Sequence, residues 1–160
     1  MPINIQGFKG SFTDLARANL FEVTIPGLSQ MEWHCKAAQV PSETLGVIAV
    51  NHAGRQIKIH GDRTYEPWTA TILLTHDYRA RTELFDWVKQ CNDPESNVSG
   101  TPDSVKRDIV VKTLNRQGGT GITYTLKGAW ASNVAAVELS DDSVDTLSEL
   151  PVTFEFDWFT

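Results

Sequence analysis

Residues 149–158 read ELPVTFEFDW, a stretch in which apolar and polar side chains alternate. Alternation with a period of two is typical of a β-strand, because successive side chains point to opposite faces of a sheet. One predicted face carries Val152, Phe154, Phe156 and Trp158, and the other carries Thr153, Glu155 and Asp157. Burial of one such apolar side chain contributes about 1.5–3 kcal/mol. The stretch is therefore predicted to be a strand of the protein's core.

The same period of two recurs earlier in the chain, in residues 21–25, 31–37, 69–75, 105–114 and 122–130. In the second of these segments it predicts an apolar face made of Met31, Trp33, Cys35 and Ala37. In the last segment it predicts that one face carries Tyr124, Leu126 and Trp130. Between the last two segments lie glycines 118, 119 and 121, which predict a hairpin turn.

One helix is predicted between Asp77, a candidate N-cap, and Asn92. Its apolar stripe at helical spacing consists of Leu84, Phe85, Val88 and Cys91. The charged residues left for solvent are Arg79, Arg81, Glu83 and Lys89. We therefore predict one domain over residues 1–160, of the mainly β (α+β) class, built as an antiparallel β barrel or sandwich with one flanking helix.

The chain has 160 residues and a formal net charge of −6, which argues against a surface that grips nucleic acid. It contains no apolar run of the roughly 18 residues that a membrane span needs, and its start lacks the layout of a signal peptide. Cys35 and Cys91 are too few for a disulfide framework and are expected to be small buried hydrophobes. These features suit a protein made in a reducing cytoplasm.

The residue types that carry enzyme chemistry form no recognisable pattern in this sequence. The histidines at 34, 52, 60 and 76 have no zinc-binding spacing, and no serine lies in a nucleophile-elbow setting. Lysine does not follow the glycines at 118–121, which favours a turn over a phosphate cradle. The spacing of Glu138, Asp141, Asp142 and Asp145 favours a solvated loop over a calcium site. We predict no catalytic, cofactor-binding or metal-binding residues and no enzyme activity.

Residues 45–59 are predicted to form a second hairpin around the turn Asn51-His52-Ala53-Gly54. Its arms carry the aliphatic residues Leu45, Val47, Ile48, Val50, Ile57 and Ile59. Two interpretations remain open: an ordinary hairpin of the core, or an arm that packs on a neighbouring subunit. Uncharged edge strands recruit other chains. Because residues 69–75 contain no charge, assembly is favoured over a monomeric barrel.

Several stretches of the chain resemble the tail tube proteins of contractile-tailed bacteriophages. The similar blocks are ANLFEV at 18–23, CKA at 35–37, GRQIKIHGDRTY at 54–65, DW at 86–87, KGAW at 127–130 and the aromatic C-terminal strand. They follow the family's order from residue 18 to the end of the chain. The sequence departs from the family at Ala131, where proline is common after the tryptophan, and residues 1–13 match no part of the pattern.

The resemblance implies a structural subunit of a virion tail, assembled in the host bacterial cytoplasm. Six copies would form a ring with sheets extended across subunits, and rings would stack into a hollow conduit for DNA inside a contractile sheath. The implied partners are other copies of the chain and the sheath, baseplate and tail-terminator proteins. DNA would pass without sequence-specific binding, and no membrane anchor is implied.

The resemblance also assigns candidate residues to the surfaces of such a tube. Candidates for inter-ring or inter-subunit contacts are Leu45, Val47, Ile48, Val50, Arg55, Ile57 and Ile59. Candidates for the lumen are Thr69, Thr71, Thr123, Thr125, Glu155 and Asp157. Candidates for the sheath-facing surface are Arg79, Arg81, Glu83 and Lys89.

Three alternatives remain beside this one. A tube subunit of a type VI secretion or phage-derived contractile injection system would share the architecture but carry protein. A small-ligand-binding β barrel would be monomeric and would enclose an apolar cavity. An enzyme would gather polar groups in a deep pocket.

Overall fold

A computed structural model describes residues 5–10 and 15–160, so parts of the predicted domain, 1–4 and 11–14, lie outside the described residues. The strands are β1 (Phe21–Thr24), β2 (Cys35–Ala38), β3 (Glu43–His52), β4 (Arg55–Tyr65), β5 (Trp68–Leu73), β6 (Arg107–Leu114), β7 (Thr120–Val134), β8 (Glu149–Glu155) and β9 (Trp158–Phe159). The helices are α1 (Ile5–Gly10), α2 (Met31–His34), α3 (Arg79–Cys91) and α4 (Pro102–Val105). The predicted 117–121 turn and the single long helix are both present.

Seven strands form one antiparallel sheet in the order β1-β6-β7-β8-β5-β2, with β9 paired to β7. The long strand β7 is central, because β6 pairs with one of its edges and the C-terminal strands β8 and β9 pair with the other. Among the described residues the end strands β1 and β2 do not pair, so the sheet is not a closed barrel. The predicted antiparallel, mainly β architecture with one flanking helix is confirmed.

The core lies between α3 and one face of this sheet. Phe154 on β8 contacts Trp68 on β5 and Trp87 on α3, with ring centroids 5.5 Å and 5.9 Å apart. Val152 and Phe154 are fully buried, and Phe156 is also buried. The prediction that the C-terminal strand belongs to the core is therefore confirmed for these residues, and the contact of Phe154 with Trp87 holds the helix on the sheet.

Two tryptophans predicted to face the core are largely exposed, because the strands that carry them are irregular. In β7 the pairs Leu126–Ile109 and Ala129–Arg107 leave one extra residue at a bulge, where Gly128 has a φ of +65°. An extra residue moves every later side chain to the other face, so Trp130 points away from the core. The break between β8 and β9 has the same effect on Trp158, and Phe159 packs against the core in its place.

The prediction that residues 31–37 form one strand is wrong in its first half. Residues 31–34 form the helical turn α2, and only the following four form β2. Residues two apart on a helix lie on nearly opposite sides, so Met31 is buried whereas Trp33 is exposed.

Helix α3 begins at Arg79, and its N-cap residue is Tyr78 instead of Asp77. The Asp77 carboxylate accepts a hydrogen bond from the Thr75 hydroxyl, which holds the pKa of Asp77 below its usual value. The buried stripe consists of Ala80, Leu84 and Trp87. The sequence prediction thus found Leu84, missed Trp87 and wrongly buried Phe85, which is exposed.

Strand β5 is not an edge, contrary to the interpretation of its uncharged sequence. It lies between β8 and β2, and its backbone groups pair with both. Within the described residues, unpaired edges are found on β1, β2 and the short strand β9, and on the two-stranded sheet β3–β4. Any assembly through edges therefore involves those strands.

Candidate assembly surfaces

Strands β3 and β4 form a separate hairpin whose turn residues, Ala53 and Gly54, both have positive φ values, +48° and +77°. Two successive left-handed residues make a type I′ turn, whose twist matches the flanking strands. Every residue from 42 to 60 except Gly46 is exposed. The hairpin is therefore not part of this subunit's core.

The strand register divides the hairpin's side chains between two faces, because directly opposed residues lie on the same face. Ile48 pairs with Ile59, and Val50 pairs with Ile57. These four residues, which we call the aliphatic face, are between 45% and 62% exposed. The opposite face carries Val47 paired with His60 and Ala49 paired with Lys58. We call this opposite face the polar face. Of the predicted contact residues, Leu45 and Val47 lie on the polar face, and Arg55 lies beside the aliphatic face.

The base of the hairpin is shaped by a second bulge, at Gly46 and Gly61. A Cβ atom on Gly61 would lie 3.1 Å from the carbonyl carbon of Gly46, so the two backbones approach closely. Arg63 donates to the Glu43 carboxylate at 3.1 Å, and the Thr64 hydroxyl donates to the Thr44 carbonyl at 3.4 Å. These polar groups fix the pairing of the two strands.

Five of the six lumen candidates lie on the sheet face turned away from α3. On β5, Thr69 and Thr71 alternate with buried neighbours, and Thr69 pairs with Thr153 of β8. The others on this face are Thr123, Thr125 and Glu155. Asp157 lies beyond the end of β8, where its carboxylate accepts a hydrogen bond from Lys106 Nζ at 2.6 Å. The structure does not group Asp157 with the rest.

Most acids on this outer sheet face are neutralised by lysines. Glu22 pairs with Lys112 at 3.2 Å, Asp108 with Lys127 at 2.5 Å, and Glu149 with Lys36. The hydrogen bond from the Lys127 ammonium holds the pKa of Asp108 below its usual value. Glu155 makes no ion pair with any described residue. It is consequently the uncompensated charge of this face within the described part of the chain.

The sheath-facing candidates on α3 have two different environments. Arg79 and Lys89 are exposed. Glu83 is half-buried and accepts hydrogen bonds from the Ser29 hydroxyl and from Arg79 Nε, each at 3.0 Å. Arg81 donates to the Ala135 carbonyl at 3.2 Å and lies 4.8 Å from the Phe85 ring centroid. Glu83 and Arg81 therefore attach the helix to neighbouring segments, whereas Arg79 and Lys89 face outwards.

The groups that could perform chemistry are dispersed. Within residues 5–10 and 15–160, no three His, Cys, Asp or Glu side chains come together as a metal site would require. Burial raises the pKa of the Cys35 thiol to about 11 and also raises that of Cys91, so neither half-buried cysteine is a thiolate near neutral pH. None of the described helices is both long and apolar enough to cross a membrane.

An antiparallel sheet with unpaired end strands and a protruding aliphatic hairpin defines a structural subunit whose surfaces suit assembly. The family model described as phage tail tube protein matches residues 7–160. The chain belongs to this family, which confirms the resemblance seen in the sequence.

A relative supports the same assignment, and two solved structures share the fold. The tail tube protein gp19 of Enterobacteria phage T4 is 31% identical over 149 residues, which cover 91% of each chain. The fold is similar to that of the tube-terminating cap of the anti-feeding prophage, with a TM-score of 0.70, 16% identity and coverage of 91% and 89% of the two chains. It is also similar to a chain of the sheath–tube complex of the PVC extracellular contractile injection system, with a TM-score of 0.65, 15% identity and coverage of 99% and 97%.

Proposed function

We propose that this chain is the repeating subunit of a phage tail tube, a structural protein without enzyme activity. Six copies close a ring with sheets extended across subunits, and the rings stack into a hollow conduit for DNA inside a contractile sheath. The observation that carries the proposal is the exposed aliphatic face of the β3–β4 hairpin in a member of the tail tube family. Assembly takes place in the host cytoplasm, and the finished tube is part of the virion tail.

The hairpin supplies a driving force for stacking. Each of its four aliphatic side chains is already about half buried in the subunit, so its remaining burial against a neighbour contributes about 0.8–1.5 kcal/mol, half the value of full burial, before the entropy cost of association. Ring formation makes several such contacts simultaneous, which raises their combined strength through effective concentration. The assembled state is then favoured by mass action at modest protein concentration.

The end strands β1 and β2 supply the contacts within a ring, because the backbone groups on their free outer edges pair with those of a neighbour. The polar sheet face with Thr69, Thr71, Thr123, Thr125 and Glu155 then lines the lumen. With a formal charge of −6 on each chain, six chains carry −36. Negative charge that faces the lumen repels DNA phosphates, so DNA slides through without being held.

The outer surface and the tube ends are assigned to protein partners. Arg79 and Lys89 on α3 face the sheath, and the end rings bind baseplate and tail-terminator proteins. Similar chains belong to a sheath–tube complex and to a tube-terminating cap, which supports these partner classes. A relative of 31% identity is a phage protein, which favours DNA over protein as cargo.

Negative-stain electron microscopy of the purified protein tests the proposal. We expect hollow rings or tubes whose abundance rises with protein concentration. A protein that remains monomeric at all concentrations, as a small-ligand-binding barrel does, would contradict it.

Replacement of Glu155 by lysine is expected to make assembled tubes retain DNA. The substitution changes the charge by two units per chain and therefore by twelve in a ring of six, on the face assigned to the lumen. Wild-type and Glu155→Lys tubes are incubated with short fluorescent single-stranded DNA at low salt and sedimented, and we expect DNA to co-sediment with the variant alone.

The matched control is Asp86→Lys, which makes the same charge change at an exposed position on α3. Tubes of this variant should bind DNA only on their outside, where added nuclease removes it. If nuclease also removes the DNA from Glu155→Lys tubes, Glu155 does not face the lumen.

A further inference from the structure

A second surface of the subunit exposes aliphatic side chains, in the loop between β7 and β8. Leu139, Val144 and Leu147 are 78%, 74% and 68% exposed. They line or adjoin an open depression of about 450 Å³ whose wall also includes Glu138 and Pro151. Exposed aliphatic residues around a depression are typical of a docking surface. We call residues 136–148 the receptor loop.

The receptor loop and the hairpin carry opposite charges. The loop contains Glu138, Asp141, Asp142 and Asp145 and no lysine or arginine. Residues 44–61 of the hairpin contain no aspartate or glutamate, and they carry Arg55 beside the aliphatic face and Lys58 on the polar face. Charge complementarity of this kind raises the association rate and rejects wrong partners. The negative charge of the receptor loop therefore complements the positive charge of the hairpin. Both surfaces also carry aliphatic side chains that remain exposed in the single subunit.

The hairpin and the receptor loop lie at opposite ends of the sheet. The chain enters β5 from the hairpin at Trp68, whose Nε1 donates to the Gln39 carbonyl at the other base of the hairpin, at 2.6 Å. At the far end of β5, Leu73 pairs with Glu149, and the Leu74 amide donates to the Ser148 carbonyl at 2.9 Å. Six residues of strand separate the two ends by roughly 20 Å.

Complementary surfaces at opposite ends of one subunit meet only between copies, in a head-to-tail contact. A head-to-tail contact that does not close on itself repeats along an axis. We propose that the aliphatic face of the hairpin docks on the receptor loop of a second copy of this chain in the next ring. This inference rests on the proposed function and adds to it the surface that receives the hairpin.

Charge reversal with rescue tests the pairing. The loop variant Glu138→Lys, Asp141→Lys and Asp142→Lys changes the four loop acids from a net charge of −4 to +2, and the hairpin variant Arg55→Glu reverses the charge beside the aliphatic face. We expect each variant alone to raise the protein concentration needed for tubes by at least tenfold, measured by sedimentation and microscopy. The combination of all four substitutions should restore assembly to within threefold of wild type.

The control variant Asp86→Lys, Glu95→Lys and Asp103→Lys makes the same charge change at three other exposed positions and should assemble as wild type does. Circular dichroism confirms that each variant is folded. Loop-variant tubes at the wild-type concentration, or a combined variant that remains unassembled, would overturn the inference. If instead wild-type protein forms no tubes, it is the proposed function that fails.

A cross-linking experiment identifies the contacting face directly. Val50→Cys and Leu139→Cys proteins, which carry tags of different mass so that they can be told apart, are mixed during assembly and treated with a bifunctional maleimide. We expect a cross-linked pair of mixed size from this mixture and not from Val47→Cys with Leu139→Cys, because Val47 lies on the polar face of the hairpin. Each variant alone gives the background from Cys35 and Cys91. Equal yields from both mixtures, or none from the first, would contradict the proposed contact.

Discussion

The Trp87→Ala variant is expected to lose about 3–5 kcal/mol of its free energy of unfolding, as large-to-small substitutions of buried aromatic residues do. Trp87 is 1% exposed and contacts Phe154 at the centre of the core. Its Nε1 donates to the Val105 carbonyl at 2.7 Å, and the Arg107 guanidinium lies 4.4 Å from its ring centroid. The substitution leaves a cavity between helix and sheet and removes the donor of a buried carbonyl. Urea unfolding of unassembled subunits, followed by circular dichroism, measures the loss.

Trp87→Phe is the control for this substitution, because phenylalanine keeps most of the apolar contact and removes only the Nε1 donor. A buried carbonyl that loses its partner costs about 1–3 kcal/mol, so the phenylalanine variant should be less destabilised than the alanine variant. Measurements use dilute protein, since assembly adds stability that depends on concentration. Equal destabilisation by both substitutions would show that the hydrogen bond, and not the packing of the ring, dominates.

The sequence correctly predicts those strands and helices that can be recognised from the pattern of neighbouring residues. The alternation around Phe154 identifies a strand because that strand is regular and has one face against the core. The same rule fails for Trp130 and Trp158 because a bulge at Gly128 and a break after Phe156 shift the phase of alternation. Neither irregularity changes the amino-acid composition of its segment enough to be recognised from the sequence, although glycine within a strand is a known sign of a bulge.

Strand order and exposure are properties of the whole fold, and the sequence does not contain them locally. The uncharged strand β5 pairs with β2 and β8, and β8 lies about 80 residues further along the chain. Its position between two other strands could not be predicted from its own residues. The hairpin was predictable from its turn and its β-branched arms. Its exposure was not predictable, because exposure depends on which other segments cover it.

Within the candidate site, the cross-strand register carries the information that the sequence lacked. The aliphatic residues of the hairpin are adjacent in sequence at 47 and 48, and composition alone gives no reason to separate them. Pairing of Ile48 with Ile59 and of Val47 with His60 places them on opposite faces. The structure therefore divides the seven contact candidates between an aliphatic face of four residues, with Arg55 beside it, and a polar face that carries Leu45 and Val47.

The separation of the hairpin into an aliphatic face and a polar face leads to the substitution with the largest expected effect on assembly. Ile48→Asp combined with Ile59→Asp is expected to leave folded subunits or single rings and to abolish tubes. The two side chains are already about half buried in the subunit, so loss of their docking removes about 1.5–3 kcal/mol per contact. Burial of two unpaired aspartates in the contact costs several kcal/mol more, and the total corresponds to a rise of at least about 100-fold in the concentration needed for stacking. The subunit itself should stay folded, because both side chains are about half exposed in it. Microscopy, sedimentation and thermal unfolding measure these outcomes.

The directly neighbouring pair provides the matched control. Val47→Asp combined with His60→Asp also introduces two opposed aspartates and the same charge, one residue further along the hairpin and on its polar face. If the aliphatic face drives stacking, this variant forms tubes near the wild-type concentration, since it leaves Ile48, Val50, Ile57 and Ile59 intact. Tubes of normal length from the Ile48/Ile59 variant, or equal loss of assembly in both variants, would mean that the hairpin does not act through that face.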